Sequence, residues 1–200
     1  HLIAGADYRF SMFGREFALL SEFYYKHLTN VIPYDVDNVR IRYFAENSAV
    51  AYATGVDFRL SGELIPGAES WFSLGLLRTR ENIEGDGRGY IRRPSDQLVN
   101  VGIFFQDHLP NDPSTRVYVN YEFGSGLPFG PPENERFRNF LDGPQYNRLD
   151  LGFNKQLNFR QNKTTDNSFF RSLWIGLEVL NVLGADNTIS FTWVEDVQSR

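Results

Sequence analysis

Cysteine is absent from the 200 residues, which removes disulfides and thiolate metal ligands from consideration. No stretch approaches the roughly 18–20 consecutive apolar residues that a membrane-spanning helix needs, and the mean hydropathy is −0.38. Lysine is nearly absent, three against seventeen arginines, and the formal net charge is −5, a balance that speaks against nucleic acid as a partner. Catalytic and cofactor chemistry find no foothold. The three histidines, His1, His27 and His108, lie far apart, and no carboxylate pair stands out as an acid–base couple. The glycine-rich stretch 85–89 lacks the Lys-Ser/Thr that follows a phosphate-binding loop. Asp35, Asp37 and Glu46 fit part of a calcium loop, but Val39 and Arg40 occupy positions where a ligand and a glycine are required. The chain is therefore expected to be no enzyme and to hold neither metal nor cofactor.

What is present is a two-residue alternation, repeated in segment after segment. In residues 50–60 one face reads Val50, Tyr52, Thr54, Val56, Phe58 and Leu60, and the other Ala51, Ala53, Gly55, Asp57 and Arg59. Val99, Val101, Ile103 and Phe105 alternate with Asn100, Gly102 and Gln106. Val117, Val119, Tyr121 and Phe123 alternate with Tyr118, Asn120, Glu122 and Gly124. Leu149, Leu151, Phe153 and Leu157 alternate with Arg148, Asp150, Gly152, Asn154 and Gln156. The fold class is all-β, one long antiparallel sheet between an apolar and a wet environment.

A soluble sandwich also has one apolar and one polar face. Strand length and connections favour an antiparallel transmembrane β-barrel instead. Soluble strands run about 5–6 residues, whereas residues 15–28, 48–62 and 146–159 sustain the signal as a tilted bilayer-crossing strand with an extension would. Short connections (11–14, 62–68, 107–114) alternate with long ones (29–47, 79–96, 124–145). Outer-membrane barrels place tight turns at the periplasm and working loops outside. Residues 158–168 fall where a short turn is due and are expected to form an enlarged one. Aromatics near predicted strand ends (Tyr24, Tyr25, Phe44, Trp71, Phe72, Trp174, Trp193) suit an interfacial girdle, though ordinary strand aromatics look the same.

Residues 1–10 already read as strand, with Leu2, Ala4, Ala6, Tyr8 and Phe10 on one face. Residues 187–196 read as another, without a closing strand after it. About eight strands are counted, and the chain is expected to be a fragment of a larger barrel. Residues 132–141 are the only segment with helical character, with Glu133 and Glu135 in the first turn and Phe137, Phe140 and Leu141 on one face.

Several stretches carry a family resemblance: Tyr24-Tyr25-Lys26 followed by Ile32-Pro33-Tyr34-Asp35-Val36-Asp37-Asn38-Val39-Arg40; the Pro-rich loop at 124–132; Tyr146-Asn147-Arg148-Leu149-Asp150-Leu151-Gly152-Phe153; and Leu177-Glu178-Val179-Leu180-Asn181-Val182-Leu183-Gly184. In this order they resemble the C-terminal part of TonB-dependent outer-membrane receptors, in the branch typical of bacteroidete nutrient importers. The resemblance implies about eight strands of a 22-stranded barrel over residues 1–200, with N-terminal plug and final strand absent. It implies residues 169–195 as one long strand bent near Gly184. Val182-Leu183-Gly184 departs from the family's more usual Leu-Phe-Asp, which leaves a kink or a separate turn at 181–187 open.

The function so implied is import of a scarce nutrient of siderophore, glycan or peptide type across the bacterial outer membrane. Energy would come from the inner-membrane TonB complex acting through the plug. Outer-membrane lipid and lipopolysaccharide are implied surroundings, and a surface lipoprotein lid an implied partner. Asp57, Arg59, Asn100, Glu122, Arg148, Asp150, Asn154 and Glu178 then face the lumen or plug. Binding residues concentrate on loops held by a rigid scaffold, which singles out Arg40, Arg42, Tyr43, Tyr90, Arg92, Arg136 and Phe137 as substrate-binding, guanidinium forks beside aromatic faces. The arginine excess fits lipopolysaccharide phosphates equally well. A passive outer-membrane porin or small structural barrel is the alternative, and a soluble carbohydrate-binding β-sandwich the third reading.

Overall fold

The computed structural model describes residues 1–37, 39–109, 111–131, 134–158 and 171–194. The alternating segments form eight long strands: β1 (Leu2–Met12), β2 (Arg15–Val31), β3 (Ala49–Ile65), β4 (Ala68–Ile83), β5 (Val99–Leu109), β6 (Asp112–Gly124), β7 (Tyr146–Asn158) and β8 (Ser172–Val179). Each pairs antiparallel with the next in the chain, giving a single meander in sequence order. Among the described residues β1 and β8 do not pair, so the sheet is not closed.

Chain order dictates this topology, because each hairpin turn delivers the next strand beside the last. Phe13 and Gly14 take positive φ of 55° and 72°, the conformation a two-residue hairpin turn requires. Gly67 does the same between β3 and β4, beside a register shift at Glu63/Ile65. The opposite end of the sheet carries long connections at 32–48, 84–98 and 125–145, so short and long links alternate as the sequence predicts. The enlarged turn expected at 158–168 lies outside the described residues apart from Asn158, which ends β7.

Directly opposed residues share a face. One row crosses seven strands as Tyr8, Leu19, Leu60, Phe72, Ile103, Tyr121 and Leu149. Four residues along, toward the long connections, Ala4, Phe23, Val56, Leu76 and Val99 form a second apolar row. Beyond that the same face changes character: Tyr25, Thr54 and Arg78 make the next row, and His27, Tyr52 and Arg80 the last. The other face carries Asp7, Leu20, Arg59, Ser73, Gly102, Glu122 and Arg148 in one row. Its neighbour row is Gly5, Glu22, Asp57, Gly75, Asn100, Gly124 and Tyr146.

Among the described residues nothing packs on the apolar rows of this face. Among the described residues the buried hydrophobic side chains reduce to Phe17, Ala49, Ala51, Ala68 and Ile91, with Pro33, Pro94 and Pro128 in the connections. The chain exposes 14428 Å², where a soluble monomer of this mass exposes about 9,700 Å². Phe23, Phe72, Leu76, Ile103, Leu151 and Phe153 all stand exposed. As many polar side chains as apolar ones are buried among the described residues, including Thr79, Glu81, Asp96, Thr115, Arg138 and Asn139.

Glycines on both faces of the sheet accept aromatic rings from the neighbouring strand, Gly62 on the apolar face and the others on the polar one. Tyr24 lies over Gly55, Tyr118 over Gly152 and Phe17 over Gly62, each directly opposite its glycine. Trp71 covers Gly102 diagonally. A ring lying flat over a glycine restores packing that the missing side chain forfeits, and permits strong local twist.

Three expected elements do not form among the described residues. Of the helix expected over 132–141, the described residues 134–141 form only one 3₁₀ turn, Glu135–Phe137. Asn139 takes a φ of 52°, and Gly130 packs so close to the Phe137 carbonyl that no Cβ fits there, so the turn cannot propagate. Nor does a long strand run to residue 195. β8 ends at Val179, Asn181 adopts a φ of 52° and donates its N–H to the Asp150 carboxylate (2.9 Å), and Gly184 reverses the chain at a φ of 60°. The strand expected from residue 187 is likewise absent among the described residues. The side chain of Asn187 instead meets the backbone of Asn147, accepting from its N–H and donating to its carbonyl, both at 2.9 Å. One amide side chain replaces a strand partner.

Gly55→Ala should destabilise the fold by about 1–3 kcal/mol, because its Cβ would meet both the Tyr24 ring and, at 2.6 Å, the Leu76 carbonyl. Gly75→Ala should cost far less, since its Cβ meets the movable Asp57 carboxylate at 3.1 Å and otherwise Asn100 Cβ at an ordinary 3.8 Å. Urea unfolding midpoints of the two variants give the comparison, and equal midpoints would refute the packing account.

Candidate functional site

The polar face and the long connections enclose a cavity of about 1400 Å³. Glu22 of β2, Asp57 and Arg59 of β3, Ser73 and Gly75 of β4, Asn100 of β5 and Glu122 of β6 supply its wall, and Tyr146 of β7 reaches it too. Laid flat at a spacing of about 4.8 Å, β2 and β7 would stand roughly 24 Å apart, so a shared cavity requires the sheet to curl around it. Arg59 lies over the Trp71 ring at 5.6 Å. Gly75, between Asp57 and Asn100 in the register, leaves the space their side chains use.

The roof comes from segments distant in sequence, and Arg138 joins them. Its Nε donates to Asp35 Oδ1 (2.6 Å), and Nη2 donates to the Tyr34 carbonyl (2.8 Å) and to Glu81 Oε1 (3.0 Å). Its guanidinium lies 5.1 Å from the Phe44 ring centroid. Glu81 is completely buried and receives a second guanidinium, Arg93, at 3.1 Å. Arg93 in turn lies over Tyr34 at 5.6 Å. A buried carboxylate held by two arginines ties the 32–48 and 125–145 connections to the upper part of β4.

Asp96 completes the arrangement at the edge of β4. Beyond Leu77 this strand loses β5 as a partner, and the Thr79 N–H is taken by Asp96 Oδ1 at 2.6 Å. The other Asp96 oxygen accepts from Arg92 Nε at 2.9 Å, and Arg92 also pairs with Asp142. Burial works against the Arg92 charge, but its hydrogen bonds and ion pairs with Asp142 and Asp96 outweigh that and hold the guanidinium above its ordinary range. Asn139 donates to the Arg92 carbonyl at 2.8 Å.

Of the residues singled out in the sequence, Arg42, Asp57, Arg59, Asn100 and Glu122 line the cavity. Arg40 and Tyr43 stand exposed on a small hairpin, Tyr34–Asp37 with Arg40–Tyr43, where Tyr43 packs on Tyr34 at 6.0 Å. Tyr90 packs on Tyr52 at 5.3 Å, away from the cavity lining. Arg92 is committed to the roof ion pairs. Arg136 lies over the exposed Phe137 at 5.5 Å, and neither lines the cavity. Arg148 pairs with Asp150 at 2.9 Å, while Asn154 and Glu178 occupy the same face nearer the turn end, where Glu178 accepts from the Tyr118 hydroxyl. Asp35, the first residue of the partial calcium pattern, is bound to Arg138.

Glu81, Phe129 and Phe191 were not among the sequence candidates, and Trp193, expected in an interfacial girdle, lines the cavity instead. Phe129 stacks on Phe191 at 4.1 Å and meets Trp193 at 6.2 Å, forming an aromatic wall of the cavity. The sequence puts Glu81 in the 79–96 connection, whereas the register carries β4 through it and sets it on the polar face with Thr79; no local signal marks it as buried. The cavity thus offers guanidinium, carboxylate and amide groups beside flat aromatic surfaces, a set suited to holding a polar ligand with apolar faces. Compared with protein-family models, with curated proteins and with solved structures, the chain matches none.

Arg138→Met leaves buried Glu81 with Arg93 alone and should cost about 3 kcal/mol of unfolding free energy. Adding Glu81→Gln should recover part of the loss, giving a coupling of about 1–3 kcal/mol in a double-mutant cycle. Strict additivity would show that the pair does not organise the roof.

Proposed function

We propose that this chain is part of the wall of a TonB-dependent outer-membrane receptor, a 22-stranded barrel that imports a scarce nutrient of siderophore, glycan or peptide type. The observation that supports this most is the inverted distribution of polarity. Continuous apolar rows face outward with nothing among the described residues packed on them, while the opposite face lines a polar cavity under long connections. In water those rows would cost about 25 cal/mol for each Å² left exposed; against lipid tails the cost disappears. The alternation of short and long connections fits the same orientation, with turns at the periplasm and loops outside.

In this reading the cavity is the outer vestibule. Arg42 and the Phe129, Phe191 and Trp193 wall lie where an incoming ligand would be held, and Asp57, Arg59, Asn100 and Glu122 line the path a plug would occupy. The chain binds and conducts without catalysing. A passive porin is the second reading, favoured by the size of the open cavity. The two differ in conductance: a plugged importer extracted in detergent gives no steady current in a planar bilayer, and a porin does.

These residues carry no cysteine, so single introduced thiols report topology. In intact cells a membrane-impermeant maleimide should label Phe140→Cys, on a long connection, and should label Phe13→Cys, at a turn, only after the outer membrane is permeabilised. Both side chains are exposed, at 66% and 84%. Equal labelling in intact cells, or recovery of the protein in the soluble fraction, would sink the membrane assignment.

A further inference from the structure

We infer that the outward face of β2, β3 and β4 carries a binding site for the phosphorylated headgroup of an outer-leaflet glycolipid, centred on Arg78 and Arg80. The inference rests on the membrane orientation proposed above. It starts from a break in the pattern of that face. The row Phe23, Val56, Leu76 is wholly apolar, yet two residues further along β4 the same face presents Arg78, and two beyond that Arg80. Successive residues on one face stand roughly 6.8 Å apart, so both guanidiniums sit within reach of one headgroup, directly above the apolar rows.

Their surroundings differ from those of the roof arginines. Arg92, Arg93 and Arg138 each hold a carboxylate. Among the described residues the side chains of Arg78 and Arg80 have no ion-pair or hydrogen-bond partner; the residues opposite them on β3, Thr54 and Tyr52, are neutral, and on its other side Arg80 stands opposite Arg92. Arg78 is exposed and Arg80 partly so. A strip of tyrosines flanks the pair: Tyr25 stacks with Tyr52 at 6.3 Å, and Tyr52 meets Tyr90 at 5.3 Å. Tyrosine bodies of this kind favour the boundary between hydrocarbon and headgroup.

The combination selects an amphiphile with a phosphate at its head. Apolar rows below accept acyl chains, the tyrosine strip marks the interface, and two unneutralised guanidinium forks above it match phosphate oxygens bidentately. A free anion would gain nothing from the apolar rows, and a neutral lipid nothing from the arginines.

The test is native mass spectrometry of the full, detergent-extracted protein with added bis-phosphorylated lipid A, and with the dephosphorylated lipid of the same acylation. The wild-type protein should retain the phosphorylated lipid. Arg78→Gln with Arg80→Gln should bind it about thirtyfold more weakly, and the dephosphorylated lipid should bind as weakly to the wild type. Arg9→Gln with Arg171→Gln, which removes the same charge away from the patch, should bind as the wild type does. Equal retention by the Arg78/Arg80 variant would overturn the site. Complete displacement of lipid by millimolar inorganic phosphate would overturn it in favour of an isolated anion site. The thiol labelling above decides the membrane orientation separately: a protein that passes it and fails here loses only the lipid site.

Discussion

Strand parity is the constraint on which everything else depends. Side chains alternate strictly across a sheet, so a slip of one residue between any two strands would turn every apolar side chain of the next strand inward. Here the register runs unbroken through seven strands, from Tyr8 to Leu149. Bulges are confined to strand ends, at Leu28/Val31, Glu63/Ile65 and His108/Leu109. Irregularity there bends the connections without disturbing the faces. The aromatic rings lying over Gly55, Gly62 and Gly152 strengthen the same registration, since each ring fits only opposite its own glycine.

Above the registered rows the energetics change. Apolar burial contributes little, and the long connections are organised by charge: Glu81 between Arg138 and Arg93, and Asp96 between the Thr79 amide and Arg92. A buried carboxylate is costly unless fully paired. Once paired, it admits few geometries, so a small number of ions can fix the position of chain segments lacking a core of their own. The cavity roof is therefore rigid where its ions are buried and plain hairpin where they are not, as at Arg40 and Tyr43.

Much of the fold was legible because period-two alternation is local. The eight long strands, their faces and the alternation of short and long connections all follow from neighbours in sequence. The cavity-lining Asp57, Arg59, Asn100 and Glu122 were legible for the same reason. The failures share a different cause. The helix over 132–141 was read from local spacing, but Asn139 and the close approach of Gly130 decide that segment. The strand from residue 187 was read from alternation, but Asp150 and Asn147 capture the chain first. Arg138 joins Asp35 and Glu81 across 103 and 57 residues, a separation over which composition and spacing carry no information.

The contact between Asn187 and Asn147 has a consequence for heredity. Backbone pairing at a strand edge is ordinarily untouched by substitution, because every residue except proline supplies the same N–H and C=O. At Asn147 the partner is a side-chain amide, so the termination of an edge is encoded by one codon. Replacing Asn187 would bare a donor and an acceptor of Asn147 together and return the edge to an unpaired state, the condition from which strands recruit new neighbours. Edge protection becomes, at this one position, a trait that selection can switch.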